Sequence, residues 1–444
     1  MAKNEAGRSR SESARGTWVG SHGFLSRSLG QPIRRFMQLE AAGGIALLAA
    51  TVVALAWANS PWRLSYGIFW STTVSIEAGP LHFEESLRAV VNDALMAVFF
   101  FVVGLEIKRE LVAGELRDPR AVGLPVLAAL GGMVIPASLY GALNAGGPGS
   151  AGWGIPMATD IAFALGVVAL LGDRVPPPLK VFLLTLAIAD DIGAILVIAA
   201  FYSGGLSWSW LAVSAGGLAL VAGLRRRRVW YVPVYVVIGA AIWYATHESG
   251  VHATIAGVAL GLLAPARPFY PEGAGPEAAR ESGARPNARE ARAAGFLVKE
   301  QVPVTERLED ALHPWTSFLV VPVFALANAG VPISTGALRE TLASEVGLGI
   351  ILGLVAGKTL GITAASWMAV RLGVGRLPDG VAWPQLVSVA MLAGIGFTVS
   401  LFIAGLAFED EALRESATVA VLAASALAAV LGAASTAAAR RAAR

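Results

Sequence analysis

Twelve predominantly apolar stretches of bilayer-spanning length recur along the 444-residue chain, and they restrict what it can fold into. They lie near 41–58, 89–107, 121–142, 151–171, 179–202, 208–224, 229–246, 250–265, 314–331, 346–370, 384–408 and 413–436. Hydrocarbon offers no water to satisfy backbone donors and acceptors, so stretches of this length must be helices. The composition, 55% hydrophobic and 15% charged, is that of a polytopic membrane protein rather than a water-soluble domain. The absence of cysteine excludes disulfides, thiolate metal sites and cysteine nucleophiles. No basic surface interleaved with aromatics is present, so nucleic acid is not an expected partner.

The loops orient the spans. One set of ends carries Lys108, Arg109, Arg117, Arg120, Arg174, Lys180, the run Arg225–Arg228, Arg371, Arg376 and the C-terminal arginines. The opposite set carries little positive charge, with Arg63, Arg88, Arg339 and Arg414 scattered among polar residues. The excess of positive charge marks the cytoplasmic side and puts both termini there. Residues 1–34, rich in Arg, Ser and Gly, read as a disordered cytoplasmic tail, and 35–440 as the transmembrane domain. Residues 266–306, rich in Pro, Ala, Arg, Glu and Gly, read as a disordered cytoplasmic linker. Residues 71–83 alternate in polarity around Ala78-Gly79-Pro80, which predicts an external β-hairpin.

Four spans carry groups or interruptions that lipid does not tolerate without a reason. Asp190 and Asp191 sit side by side near the middle of the fifth apolar stretch. An ionisable side chain at bilayer depth costs at least about 2.5–3.5 kcal/mol and marks an ion or proton pathway. Neighbours on a helix point about 100° apart, so the two acids face different surroundings. In the fourth stretch, Pro156 removes a backbone donor just before Thr159 and Asp160, predicting a broken helix with oxygen ligands at the break. The eleventh contains Ala393-Gly394-Ile395-Gly396-Phe397-Thr398-Val399-Ser400, a second mid-membrane interruption. Two interrupted helices in the two halves of a transporter predict inverted-topology repeats meeting at a midplane site. Lys358 lies about a dozen residues into the tenth stretch, beside Gly349, Gly353, Gly357 and Gly361, too deep to snorkel out. It needs an acidic partner, and Asp190 or Asp191 is the candidate.

Low dielectric disfavours the charged form of carboxyl and amine alike, so groups at this depth can exchange a proton in each cycle. Carboxylate, hydroxyl and carbonyl oxygens also suit hard cations. A cation such as Na⁺ can then compete with protons for the same oxygens, with no cofactor and no enzyme chemistry required.

Val103–Leu111 (VGLEIKREL), Ala158–Gly166 (ATDIAFALG), Ala187–Ile195 (AIADDIGAI), Ser249–Thr254 (SGVHAT), Leu312–Trp315 (LHPW), Phe324–Val331 (FALANAGV), Gly357-Lys358 and Gly394–Thr398 (GIGFT) together make the chain resemble the NhaA-type sodium/proton antiporter family in most of its spans. The resemblance runs from about 35 to 436 and excludes the tail and the linker. It implies an all-α fold of twelve transmembrane helices, with the two interrupted helices crossing at midplane. It also implies electrogenic export of Na⁺ or Li⁺ in exchange for protons, pH-regulated, across a bacterial cytoplasmic membrane. Asp191 and Asp190 would ligate the transported Na⁺, with Asp190 alternately paired to Lys358, and Thr159 and Asp160 at the crossing framed by Pro156, Gly394 and Gly396. Glu106, Glu110, His252, Glu309 and His313 match positions linked to the cytoplasmic funnel and pH response. Asp310 stands where family members carry histidine. The 71–83 hairpin matches the element through which the family forms homodimers.

A cation-coupled solute symporter is the alternative, because it too needs carboxylates at midplane. An intramembrane aspartyl protease is disfavoured: neither Asp160 nor Asp190 has a Gly-x-Gly-Asp setting.

Overall fold

The computed structural model describes residues 42–78, 81–114, 117, 119–227, 229, 231–268 and 301–442. The tail 1–34 and most of the 266–306 linker lie outside them.

Helices α1 (Ala42–Ala58) and α2 (Arg63–Ser71) lead into strands β1 (Thr73–Ala78) and β2 (Leu81–Ser86). The strands pair antiparallel, Thr73 opposite Ser86 and Ile76 opposite Phe83. Next come α3 (Leu87–Val112) and α4 (Pro119–Leu143), then a 3₁₀ segment Ser150–Met157 that precedes α5 (Ile161–Leu171). Helices α6 (Pro177–Phe201), α7 (Trp208–Arg226), α8 (Val232–Glu248) and α9 (Thr254–Leu263) follow. The C-terminal part holds α10 (Val304–Asn328), α11 (Thr335–Ala343), α12 (Glu345–Arg371), α13 (Trp383–Leu392), α14 (Phe397–Ala407) and α15 (Glu411–Ala442).

Among the described residues, eight helical stretches are long and apolar enough to cross a membrane. The count rises to as many as ten if each bent pair, α1–α2 (113°) and α13–α14 (48°), is one span. The chain is therefore an all-α, multi-pass membrane protein with one described hairpin. The difference from twelve apolar stretches has a local cause. Helix α8 has 17 residues and α9 only 10. Between them Gly250 adopts φ +79°, in the left-handed region, and a Cβ there would lie 2.2 Å from the Gly204 carbonyl oxygen. An apolar scan reads through this turn, but the backbone does not.

Helix α10 starts at Val304, well before the apolar run at 314, so residues 304–306 belong to a helix and not to a linker. Its first turns are amphipathic, with Glu306, Glu309 and Asp310 diluting the apolar signal.

Small residues bring the helices together where lipid supplies no hydrophobic drive between them. Helix α12 lies so close to α4 that a Cβ on Gly361 would sit 2.1 Å from the Gly131 carbonyl oxygen. Around these contacts a buried core gathers Leu47, Phe100, Phe324 and Phe402, with the Phe100 and Phe402 rings 5.5 Å apart. Among the described residues, three helices carry a π turn: Val91–Leu95 in α3, Thr316–Val320 in α10 and Gly353–Gly357 in α12. Such turns concentrate near functional sites.

Candidate functional site

The site is built where two helices are interrupted. In the fourth apolar stretch the chain runs as a 3₁₀ segment to Met157, is extended through Ala158–Asp160, and resumes as α5 at Ile161. In the eleventh, α13 stops at Leu392 and α14 starts at Phe397. The two breaks bond to each other. The Thr159 hydroxyl donates to the Ala393 carbonyl (2.8 Å), the Asp160 N–H to the Ile395 carbonyl (2.7 Å), and the Ser400 hydroxyl to the Ile155 carbonyl (2.7 Å).

Asp160 joins the breaks more firmly. Its Oδ1 accepts the Phe163 N–H (2.9 Å), capping its own helix α5. Its Oδ2 accepts both the N–H (3.0 Å) and the hydroxyl (2.7 Å) of Thr398, in the first turn of α14. One carboxylate thus satisfies orphan donors at the N-termini of two helices, where the positive ends of the helix dipoles favour it.

Asp190 and Asp191 lie in the middle of α6, both buried. Their directions differ, as adjacency on a helix dictates. Asp190 Oδ2 accepts from the Lys358 ammonium, and both side chains are completely buried. The same ammonium donates to the Thr159 hydroxyl at 2.9 Å. A chain of bonds therefore runs from Asp190 through Lys358 and Thr159 to the Ala393 carbonyl in the second break. Oδ1 of Asp190 and Oδ1 of Asp191 are buried and accept no hydrogen bond from any described residue. Unsatisfied carboxylate oxygens at this depth are costly. They are also the atoms that a hard monovalent cation or a proton would take. No group of three or more His, Asp or Glu among the described residues is arranged to hold a resident metal ion.

Pro156, Gly394 and Gly396 stand at the breaks and pack against α12. A Cβ on Gly353 would lie 2.7 Å from that of Pro156, and one on Gly394 2.4 Å from the Leu354 carbonyl oxygen.

A second cluster joins α3 to α10. Arg109 donates to Glu309 at 2.5 Å and to Glu110 at 3.3 Å, and Glu106 lies in the field of the same arginine. His313, one turn after Glu309, acts on that carboxylate electrostatically. Glu106 also lies near enough to Asp191 to interact with its charge, which links this cluster to the buried acids. His252 is elsewhere. It lies between α8 and α9, with Nε2 2.6 Å from the Tyr202 carbonyl just past the end of α6. Tyr202 is 11 residues beyond Asp191, about 16 Å along the helix axis.

Sequence reading singled out the acids, Thr159 and Lys358 but did not assign roles to Arg109, Thr398 or Ser400. Thr398 and Ser400 carried a signal, as hydroxyls inside an apolar interruption. Arg109 stood between two glutamates in Glu106-Ile-Lys-Arg-Glu110, the pattern of a charge that must be paired.

Comparison with known proteins places this architecture. Residues 34–435 match the family described as Na⁺/H⁺ antiporter 1. The chain is 49% identical over 395 residues to Na⁺/H⁺ antiporter NhaA 3 of Frankia alni, covering 88% of this chain and 85% of that protein. It is 48% identical over 411 residues to Na⁺/H⁺ antiporter NhaA of Rhodopirellula baltica, covering 89% and 91%. It is 46% identical over 409 residues to Na⁺/H⁺ antiporter NhaA of Oleidesulfovibrio alaskensis, again covering 89% and 91%. Paired buried acids in one helix and two interrupted helices bonded at their breaks thus occur in a chain whose matching segment takes in every helix from α1 to α14: it belongs to the Na⁺/H⁺ antiporter 1 family.

Proposed function

We propose that the protein is an electrogenic antiporter that exports Na⁺ or Li⁺ in exchange for protons, maintaining sodium and pH balance across a bacterial cytoplasmic membrane. The observation that carries this reading is the division of labour on α6. Asp190 is held by Lys358, while Asp191 keeps a buried, unpartnered oxygen. In this reading Asp191 binds either the cation or a proton, and never both, so the two are exchanged. Asp190 joins Asp191 on the cation when Lys358 releases it, each carboxylate takes up a proton when the cation leaves, and Asp190 returns to Lys358 when it loses that proton, so two protons move against one cation and net charge crosses the membrane. Thr159 accepts from the ammonium and steadies it against the second break. Asp160 neutralises the positive ends of α5 and α14 and so keeps two helix starts beside the cation from repelling it.

The finer architecture belongs to the same proposal. Twelve helices cross the membrane, α8 and α9 completing the set with their flanking turns, and both termini are cytoplasmic. The repeats are inverted, with the two broken helices crossing at midplane. Arg109, Glu106, Glu110, Glu309 and His313 form the cytoplasmic entrance, where pH sets the charge that a cation meets. His252 adjusts the external end of α6 through Tyr202. The protein works as a homodimer in the bilayer, joined through the 71–83 hairpin.

Everted membrane vesicles test the reading. With respiration establishing an acid interior, added Na⁺ should dequench a ΔpH probe in vesicles carrying the wild-type protein, with no organic solute present. Dequenching that needs an organic solute would assign the protein to symport, and none under any condition would reject exchange.

A further inference from the structure

The π turn in α12 is placed where it decides what Lys358 touches. The Lys358 N–H bonds to the Gly353 carbonyl, five residues back, closing the wide turn Gly353–Gly357. Glycines 349, 353, 357 and 361 repeat every fourth residue. On an uninterrupted α-helix each four-residue step overshoots a full turn by about 40°, so the stripe would drift by about 120° over its length. One residue inserted by the π turn takes back about 100° of that drift. The stripe accordingly stays on α4: a Cβ on Gly349 would meet Tyr140, on Gly357 Pro136, and on Gly361 Gly131. The same arithmetic applies to Lys358. Without the insertion it would lie about 180° from Gly349, on the opposite face, and with it only about 80° away.

The turn is clasped by the two breaks and by helix α4. Gly353 rests against Pro156, Gly357 against Pro136 in the middle of α4, and the Leu354 carbonyl and side chain against Gly394 and Gly396. The Thr359 hydroxyl donates to the Val355 carbonyl within the turn, four residues back, at 2.7 Å, the kind of back-bond that bends a helix locally. The charged groups facing Lys358 are Asp190 and Asp191 of α6, with Asp160 next to its other partner, Thr159. The Lys358 stem passes Gly132 of α4, which offers no charge.

We propose that the π turn Gly353–Gly357 is a register device that delivers the Lys358 ammonium to Asp190 and Thr159, and that Thr359 is a positioning residue for exchange because its hydroxyl holds the turn open. The functional part rests on the reading of Lys358–Asp190 as the working pair of the antiporter. If the turn relaxes to α-helix, Lys358 swings off Asp190 toward the far face of α12.

Two measurements on the full-length protein test this, using Thr359→Val, which removes the hydroxyl, and Thr359→Ser, which keeps it. The first is the coupling between Lys358→Ala and Asp190→Asn in a double-variant cycle of detergent melting, run in each Thr359 background. The second is the apparent KM for Na⁺ in everted vesicles. Coupling should be present in the wild type and Thr359→Ser and absent in Thr359→Val. The apparent KM of Thr359→Val should rise by about fivefold, the equivalent of one hydrogen bond, with Thr359→Ser tracking the wild type. Intact coupling and an unchanged KM in Thr359→Val overturn the proposal, as does a Thr359→Ser protein impaired like Thr359→Val. If the wild type shows no Na⁺-driven exchange yet Thr359→Val abolishes the coupling, the exchange reading falls and the register device stands. Should Thr359→Val fail to reach the membrane, Leu354→Ala loosens the same turn against Gly396, and the same two outcomes decide.

Discussion

Asp160 offers a perturbation whose size can be worked from the structure. Replacing it with alanine removes the cap of α5, at about 1 kcal/mol. It also strands the N–H and hydroxyl of Thr398, which is only 3% exposed. Each buried donor left without an acceptor costs about 1–3 kcal/mol, bringing the total to about 3–7 kcal/mol. Asparagine is milder. Its single amide oxygen can still cap Phe163, and the Thr398 hydroxyl can turn to accept from its NH₂, so only the Thr398 N–H is stranded, at about 1–3 kcal/mol. Thr398→Val removes one donor without stranding another buried group, because the carboxylate keeps two partners, and should cost about 1 kcal/mol. SDS titration of the purified protein in mixed micelles should therefore rank wild type, Thr398→Val, Asp160→Asn and Asp160→Ala in falling stability. Asp160→Ala unfolding at the wild-type SDS fraction would refute the claim that this carboxylate joins two helix starts. Equal losses for Asn and Ala would refute the assignment of separate acceptor oxygens.

Other outcomes follow from the same geometry. Lys358→Arg keeps the positive charge but can hardly deprotonate; electrogenic exchange should persist in vesicles carrying it, whereas its complete loss would make Lys358 an obligatory proton carrier. His252→Ala removes the 2.6 Å contact to the Tyr202 carbonyl and an imidazole whose pKa burial pushes below its ordinary value. Its pH–activity curve should be displaced while the maximal rate holds, and an unmoved curve would return His252 to a purely structural part. If the hairpin joins two copies as proposed, deleting 73–86 should turn a dimer into a monomer in sedimentation of the detergent-solubilised protein, and an unchanged mass would refute that role.

Much of this site was legible in the sequence because lipid is an unforgiving solvent. A carboxylate or lysine inside a 20-residue apolar run has few explanations, so Asp160, Asp190, Asp191 and Lys358 announced themselves before any helix was placed. Pro156 and the 394–400 cluster marked the interruptions for the same reason. What the sequence could not tell was which atoms meet. Asp190 and Asp191 are equivalent partners for Lys358 on spacing alone, and only the packing of α12 assigns the ammonium to Asp190. The double cap by Asp160 was hidden because it joins residues 238 positions apart. The shortness of α9 was hidden too, since Gly250 sits in an apolar context and its positive φ is a property of the turn it makes with Gly204. The π turn at Gly353–Gly357 left only an indirect trace, a glycine stripe with a four-residue period that a regular α-helix cannot keep on one face.

Under the proposed exchange, a cation and a proton compete for the carboxylate oxygens of Asp191. Direct titration tests it without a membrane or a gradient. Purified protein in lightly buffered detergent solution, held near neutral pH, is given LiCl or NaCl, and the pH of the solution is followed. The wild type should acidify the medium in a saturable manner, choline chloride should not, and Asp191→Asn should release no protons at any cation concentration. A wild type that binds Na⁺ without releasing protons, or an Asp191→Asn protein that releases them as the wild type does, would contradict the account.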